Sequence, residues 1–369
     1  MIPVFRPSMD DEEVRAVEQV LRSGWIGLGP KTKEFEDKFA QYVGSAYAVA
    51  VNSCTAALHL ALRVMNIDGA EVITTAMSFV STNHAILYNN GIPVFADIEE
   101  DTLNIRTDDV ERLITPKTRA IVAVHYGGHP CDMDSLLEIS KKQGISIIED
   151  AAHACGAEYK GRKIGSIGDA TCFSFHAVKN LATGDGGMIT VRDEELSERL
   201  RKLCWLGINR GTWDRSKGKA YTWEYTIEEI GFKCHMNDIA AAIGLVQLTK
   251  LEKMNIRRRQ IVKKYNEAFV HLGWIEIPVE KEYAKSAHHN YVIKVLNGKR
   301  NKLITYLKEN GISTSVHYIP NHLYEIYKPY YRKLPVAERV WKQLVTLPLF
   351  PDLTDDEIDY VIEKIKKFR

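Results

Sequence analysis

No apolar run in these 369 residues reaches 18, so no segment is long enough to cross a bilayer as a helix. The first residues, Met1 to Asp11, lack a basic n-region and an apolar h-region, and no secretory signal is expected. Net charge is only +1, which removes any bulk electrostatic case for nucleic acid or an anionic membrane as a partner. The basic run Arg257–Arg259 lies in a helical pattern and reads as a solvated face. None of the six cysteines (Cys54, Cys131, Cys155, Cys172, Cys204, Cys234) forms a C-x-x-C pair. Neither a zinc site nor a disulfide frame is expected, and the chain reads as reduced and cytoplasmic. Neither G-x-x-x-x-G-K-[ST] nor G-x-G-x-x-G occurs, which argues against a nucleoside triphosphate or dinucleotide site. Internal repeats and low-complexity segments are also missing.

What is present is an α/β pattern in a chain long enough for two domains. Short apolar runs at Tyr47–Val51, Glu71–Thr75, Ile92–Asp97, Ala120–His125 and Ile145–Asp150 read as strands, with helical stretches between them. Thr55–Met65 reads as one such helix, capped by Ser53 or Thr55, and Met133–Gln143 as another. Continuous apolar strands alternating with helices predict a mostly parallel sheet covered on both faces. Met188–Arg192 continues the strand pattern. Residues 205–230 read as a long surface loop. A helix is expected from Met236 to about Leu272, followed by a small α+β unit built from His289–Val295, Arg300–Asn310, Ser313–Tyr318 and Asp355–Phe368. The expected division is a large domain over 1–250 and a small C-terminal domain over 251–369.

Lys179 stands between the aromatic run Cys172–Phe175 and the glycine-rich turn Gly184–Gly187. A lysine at a strand end, beside backbone that can approach a ligand closely, suits a Schiff base, the way proteins hold pyridoxal phosphate. The ordinary alternative is a solvated lysine. Ligands of open parallel sheets sit beyond the carboxyl ends of the strands, and other polar residues fall at such ends. Asp150 suits a pyridine nitrogen, or else a cap or salt bridge. Asn52–Ala57 joins a strand to a helix start, where Thr55 and exposed amides suit a phosphate as well as simple capping. Ser174 offers a second hydroxyl. Phe79 suits ring stacking or core packing. His153 suits the cofactor's phenolic oxygen, the orientation of Asp150, or an ordinary buried polar role.

In order along nearly the whole chain, several segments resemble the nucleotide-sugar aminotransferases of the DegT/StrS type. They are Ser23–Pro30, Asn52–Leu58, Glu149–Ala154, Phe173–Asn180, Gly184–Met188, Asn237–Gly244 and Val316–His322. The combination Ser-Phe-His-x-x-Lys-Asn with Gly-Gly-Met is the specific part. The resemblance implies a type I aminotransferase fold with a seven-stranded sheet, and a homodimer whose active sites are shared at the interface. It implies Lys179 as the Schiff-base lysine, Asp150 as the pyridine partner and Phe79 as the stacking aromatic. Thr55, Ala56 and Ser174 would hold the phosphate, with His153 near the phenolic oxygen. His235 replaces the usual Asn or Arg that reaches the neighbouring subunit's phosphate. Some relatives carry histidine in place of the lysine and act as dehydratases, so Lys179 favours amino transfer.

The expected reaction is transamination of a keto-sugar nucleotide, a 4-keto-6-deoxyhexose or a 3-keto sugar, with L-glutamate as donor. Lys179 would act as general base and acid. His317, Tyr318 and His322 are the expected sugar contacts, with the 205–230 loop over the nucleotide. A lyase or desulfurase would need Cys54 as a mobile thiolate, which its place in a phosphate-type turn disfavours. A non-catalytic cofactor-binding regulator would need a DNA-binding appendage, and the sequence has none. No metal site is expected.

Overall fold

The computed structural model describes residues 1–209, 213, 215 and 223–368. Nine strands lie in the first 191 residues: β1 (Tyr47–Val51), β2 (Glu71–Thr75), β3 (Ile92–Ala96), β4 (Thr118–Val124), β5 (Ser146–Asp150), β6 (Glu158–Tyr159), β7 (Arg162–Lys163), β8 (Ala170–Ser174) and β9 (Gly187–Val191). Seven of them form one sheet in the order β1-β9-β8-β5-β4-β2-β3. Pairings from β8 through β5, β4 and β2 to β3 are parallel, whereas β9 runs antiparallel to both neighbours. The reversal at β9 follows from the short turn after Lys179, because a parallel partner would need a crossover helix.

The interior strands read as unbroken apolar runs because helices cover both faces. Nearly all of β4 is buried, as are Ile147 and Ile148 of β5 on opposite faces. One core lies on the side that carries the helices Pro30–Val43 and Met133–Gln143, around Phe35, Phe39, Phe173 and Phe175. The other face packs against the helix Cys54–Val64 through Leu58, Leu60 and Leu62. Ser53 caps that helix by accepting from the Ala56 amide at 3.1 Å, which leaves the Thr55 hydroxyl free of capping duty.

The helix Asp238–Phe269, capped by Asn237, passes through residue 250 without a break. Its first half contributes Ala241 and Leu251 to the first core, and its second half contributes Ile261, Tyr265 and Phe269 to a separate one. Short strands β10 (Ile275–Glu276) and β11 (Ala284–Lys285) are followed by β12 (Tyr291–Val295) and β13 (Leu344–Leu347). The order β10-β12-β13 forms a second, antiparallel sheet, backed by the helices Arg300–Glu309 and Asp355–Lys367. Thr354 caps the last helix with a reciprocal Glu357 contact.

One feature differs from the sequence expectation, and two others lay outside it. Ser313–Tyr318 is not a strand: only Ser315 bridges to Thr346, and the place beside β12 is taken by β13. The helices Asp11–Ser23 and Pro30–Val43 precede the first strand. The chain's opening residues also join the C-terminal unit, where Ile2 pairs with Ile312 and the Leu349 amide donates to the Val4 carbonyl at 3.0 Å. No described helix is long and apolar enough to cross a membrane.

Candidate active site

A cavity of about 660 Å³ opens beyond the carboxyl ends of β5 and β8. Asp150 is the last residue of β5 and Ser174 the last of β8, and both line it. Beyond Ser174 the chain turns, closed by Phe175 amide to Gly186 carbonyl at 2.8 Å and Thr183 amide to Phe175 carbonyl at 2.8 Å. That closed turn presents Lys179 to the cavity. The side chain keeps some accessible surface, yet burial pulls its ammonium down to about 8. Cys54 and Asp150 pull the other way and do not restore it. The amine has no hydrogen-bond partner among the described residues, and its lowered value leaves roughly a tenth of it as the free nucleophile at pH 7.

Asp150 is 4% exposed. Burial pushes its carboxyl up, opposed by donors on both oxygens: Thr82 Oγ1 to Oδ2 at 2.7 Å and the Ala152 amide to Oδ1 at 3.1 Å. His153 is held well below its ordinary range by burial and then by the charges of Lys179 and His317. The Gly127 amide donates to its Nδ1 at 3.3 Å, so the neutral ring carries its proton on Nε2, which faces the Tyr318 hydroxyl at 3.1 Å. Thr55 lines the cavity at the start of the helix Cys54–Val64. Gly187 lets β9 approach that helix start closely, since a Cβ there would lie 2.6 Å from the Ser53 carbonyl carbon.

Thr55, Phe79, Asp150, His153, Ser174, Lys179, His317 and Tyr318 are therefore brought to one cavity. Phe79 is 60% exposed, so its ring is available for stacking instead of being spent in the core. His317 is held near about 4 by burial, and its Nδ1 lies 2.7 Å from Thr346 Oγ1. Three expected residues stand apart. Ala56 lies behind Thr55, its amide already bonded to Ser53. His235 bridges to Val51 and meets the edge of Trp205 at 4.4 Å, with a buried Nδ1 that lacks a partner among the described residues. His322 does not reach the cavity: it is 1% exposed, its Nε2 lies 3.1 Å from Glu338, and its ring stacks on Tyr331. Part of the 205–230 loop lies outside the described residues.

Four of the cavity residues that sequence reasoning did not single out are Phe5, His289, Asn321 and Asp185. Phe5 arrives from the N-terminal segment, stacked on His289 at 5.2 Å. His289 and Asn321 had been read only as parts of a strand and a turn, and Asp185 only as part of the glycine-rich loop. Thr82, in the first turn of the helix Val80–Tyr88, and Ser78, just before it, supply Asp150's partner, and neither was singled out from the sequence.

The donor set fits pyridoxal phosphate. It offers a free primary amine, a buried carboxylate, two hydroxyls, and a helix start whose close packing against Gly187 leaves no room for a side chain. Among the described residues, no three or more His, Cys, Asp or Glu are placed to hold a metal ion.

The model of the DegT/DnrJ/EryC1/StrS aminotransferase family matches residues 7–366. An uncharacterised protein of Methanocaldococcus jannaschii, MJ1066, is 46% identical over 99% of this chain and 97% of its own. The spore coat polysaccharide biosynthesis protein SpsC of Bacillus subtilis is 44% identical over 99% of this chain and 96% of its own. Among solved structures, the putative sugar aminotransferase Spr1654 of Streptococcus pneumoniae, in its PMP form, superposes with a TM-score of 0.94. It is 37% identical, and the match covers 99% of this chain and 98% of that one.

Proposed function

Because the chain belongs to the DegT/DnrJ/EryC1/StrS aminotransferase family, it is a pyridoxal phosphate-dependent enzyme, and we propose that it aminates a keto-sugar nucleotide. The observation that carries this reading is the free Lys179 amine sharing a cavity with the buried Asp150 carboxylate. The proposed substrate is a nucleoside diphosphate 4-keto-6-deoxyhexose, with L-glutamate as amino donor. The product would be an amino-sugar nucleotide for polysaccharide such as O-antigen. SpsC, by its name a spore coat polysaccharide biosynthesis protein, supports that direction.

When bound, the cofactor supplies an electron sink for the carbanion at the donor's alpha carbon. Lys179 would hold the cofactor at rest and, as a neutral amine, would take the proton from that alpha carbon and deliver it to the cofactor's C4′ carbon. Asp150, ionised, pairs with the protonated ring nitrogen. Thr55 and Ser174 hydroxyls hold the phosphate at the helix start that includes Ala56. Phe79 would cover the ring face, and His153 would lie near the phenolic oxygen, its Nε2–H held by the Tyr318 hydroxyl. His317 and Tyr318 meet the sugar.

We also propose a cytoplasmic homodimer with shared sites. Exposed Leu21, Ile26, Tyr88, Ile230 and Ile326 supply apolar surface for an interface, across which His235 would reach a phosphate of the other subunit. The proposed division at residue 250 follows the two cores served by the long helix. The test is to incubate the protein with pyridoxal phosphate, L-glutamate and a panel of 4-keto and 3-keto sugar nucleotides, followed by mass spectrometry. An amino-sugar product from one of them, absent with Lys179→Ala, is expected. No product from any member overturns the substrate class.

A further inference from the structure

The Thr82 hydroxyl faces Asp150 from inside the protein, at the end of a buried chain of polar groups. Thr82 is fully buried, and its Oγ1 lies 2.7 Å from Asp150 Oδ2. A carboxylate only accepts, so Thr82 is the donor. Its oxygen then has only lone pairs left for Ser78, 2.6 Å away, and the Ser78 hydroxyl must donate to it. The Ser78 carbonyl accepts from Asn321 Nδ2 at 2.7 Å. Asn321 Oδ1 accepts from Asn83 Nδ2 at 2.9 Å, and Asn83 Oδ1 from Thr74 Oγ1 at 2.8 Å. Thr74, Ser78, Asn83 and Asn321 are all buried. The Ser78 and Thr82 hydroxyls both point their donors toward the Asp150 carboxylate, an arrangement in which neighbouring hydrogen bonds polarise one another, while Asn321 anchors the Ser78 backbone carbonyl.

We propose that Thr82 is a positioning residue for the reaction: it fixes the rotamer of Asp150 and keeps it anionic toward the cofactor's ring nitrogen. Asn321 ties that setting to the segment that carries His317 and Tyr318. The inference rests on the role proposed above for Asp150. With Oδ2 held by Thr82 and Oδ1 by the Ala152 amide, the carboxylate plane is fixed, and each oxygen keeps a lone pair for a further partner. Without the Thr82 donor the carboxylate becomes more basic and draws the shared proton from the ring nitrogen. A less positive ring withdraws fewer electrons, so the lysine-bound cofactor keeps its own proton to higher pH.

The test uses holoenzyme carrying Thr82→Val, Thr82→Ser, Ser78→Ala or Asp150→Ala, each read by the pH midpoint of cofactor absorbance and by kcat and KM for the amino donor. For Thr82→Val we expect an upward midpoint shift and a kcat roughly tenfold lower, the scale of one hydrogen bond to a charged group. KM should be little changed, and Thr82→Ser should restore both readouts. Ser78→Ala should shift the midpoint the same way by less, which keeps the test available if Thr82→Val does not fold. An unshifted midpoint in both Thr82→Val and Ser78→Ala, or in Ser78→Ala alone where Thr82→Val does not fold, overturns the positioning role while Asp150→Ala remains disabled. A wild-type spectrum and turnover in Asp150→Ala overturns the underlying reading of Asp150 instead.

Discussion

Nε2 of His153 lies 3.1 Å from the Tyr318 hydroxyl, joining the turn after β5 to a segment of the C-terminal unit. Since Nδ1 of His153 is taken by the Gly127 amide, the histidine donates and the phenol accepts. The phenol proton is then free for a ligand. Tyr318→Phe should raise KM for the sugar nucleotide about tenfold, the scale of one lost hydrogen bond, with the cofactor spectrum unchanged. Steady-state kinetics with absorbance spectra check this, and a changed spectrum would place the hydroxyl on the cofactor.

Lys179 titrates near about 8, well below the ordinary 10.5. A lysine lowered in the folded state binds fewer protons than in the unfolded chain, so its contribution to stability grows as pH rises from about 8 to 10.5. Below that window the desolvated ammonium is a cost. Apo Lys179→Met should therefore be more resistant to urea than the apo wild type at pH 7, with the gap closing by pH 10. Pyridoxal phosphate uptake by the apo protein should accelerate through pH 8 as the amine is released; a rate that is flat from pH 7 to 9 would contradict the shift.

His125 and Glu149 form a buried pair directly behind Asp150, with Nε2 and Oε2 separated by 2.9 Å. The Cys131 amide donates to Nδ1, so His125 meets Glu149 as a neutral donor. Burial raises the Glu149 carboxyl, but donors from His125, Gly168 and Thr171 outweigh it and hold the group below its usual value. That stabilisation is present above the unfolded carboxyl range and is lost as pH falls through the lowered value. His125→Ala removes one of the donors and should cost about 3 kcal/mol in urea unfolding at pH 7.

Asp109 is held down to about 2, against the effect of burial, chiefly by Arg332 and the Asp97 amide. Arg332 grips both oxygens at 2.7 and 2.8 Å, pinning the segment after β12 to the helix Thr107–Leu113. A carboxyl lowered from 3.8 contributes stability above that pH and loses it toward pH 2. Asp109→Asn should cost about 1–2 kcal/mol at pH 7, discounted because Arg112 is largely exposed, and nothing near pH 2. Paired acid and urea titrations measure the difference.

Gly187→Ala should push the Ser53–Cys54 backbone aside, since the added carbon would meet it at 2.6 to 2.8 Å. The expected result is a pyridoxal phosphate dissociation constant raised at least about tenfold, with the fold retained by circular dichroism. Unchanged affinity would show that the helix start does not carry the phosphate.

The parallel strands were legible because their apolar runs are bounded by turn residues, and Lys179 and Asp150 because strand ends gather ligands. The antiparallel β9 was not: its residues Gly-Met-Ile-Thr-Val are as apolar as a parallel strand's, and direction is set by the length of the preceding loop. Thr82 was hidden because a buried hydroxyl on a helix has no sequence mark separating it from a packing residue. Phe5 and His289 come from opposite ends of the chain, and no local pattern foretells a contact of that separation. His322 looked equivalent to His317, but Glu338, sixteen residues on, claims it.

Ile2 and Val4 are made long before Ile312 and Leu349, the residues they join. During synthesis they have no partners until nearly the whole chain has left the ribosome, and such distant contacts close late. Phe5, carried by the same segment, is therefore among the last walls of the cavity to be set in place. A chain cut short before residue 312 would hold Lys179 and Asp150 yet lack the Ile2–Ile312 pairing that helps seat Phe5.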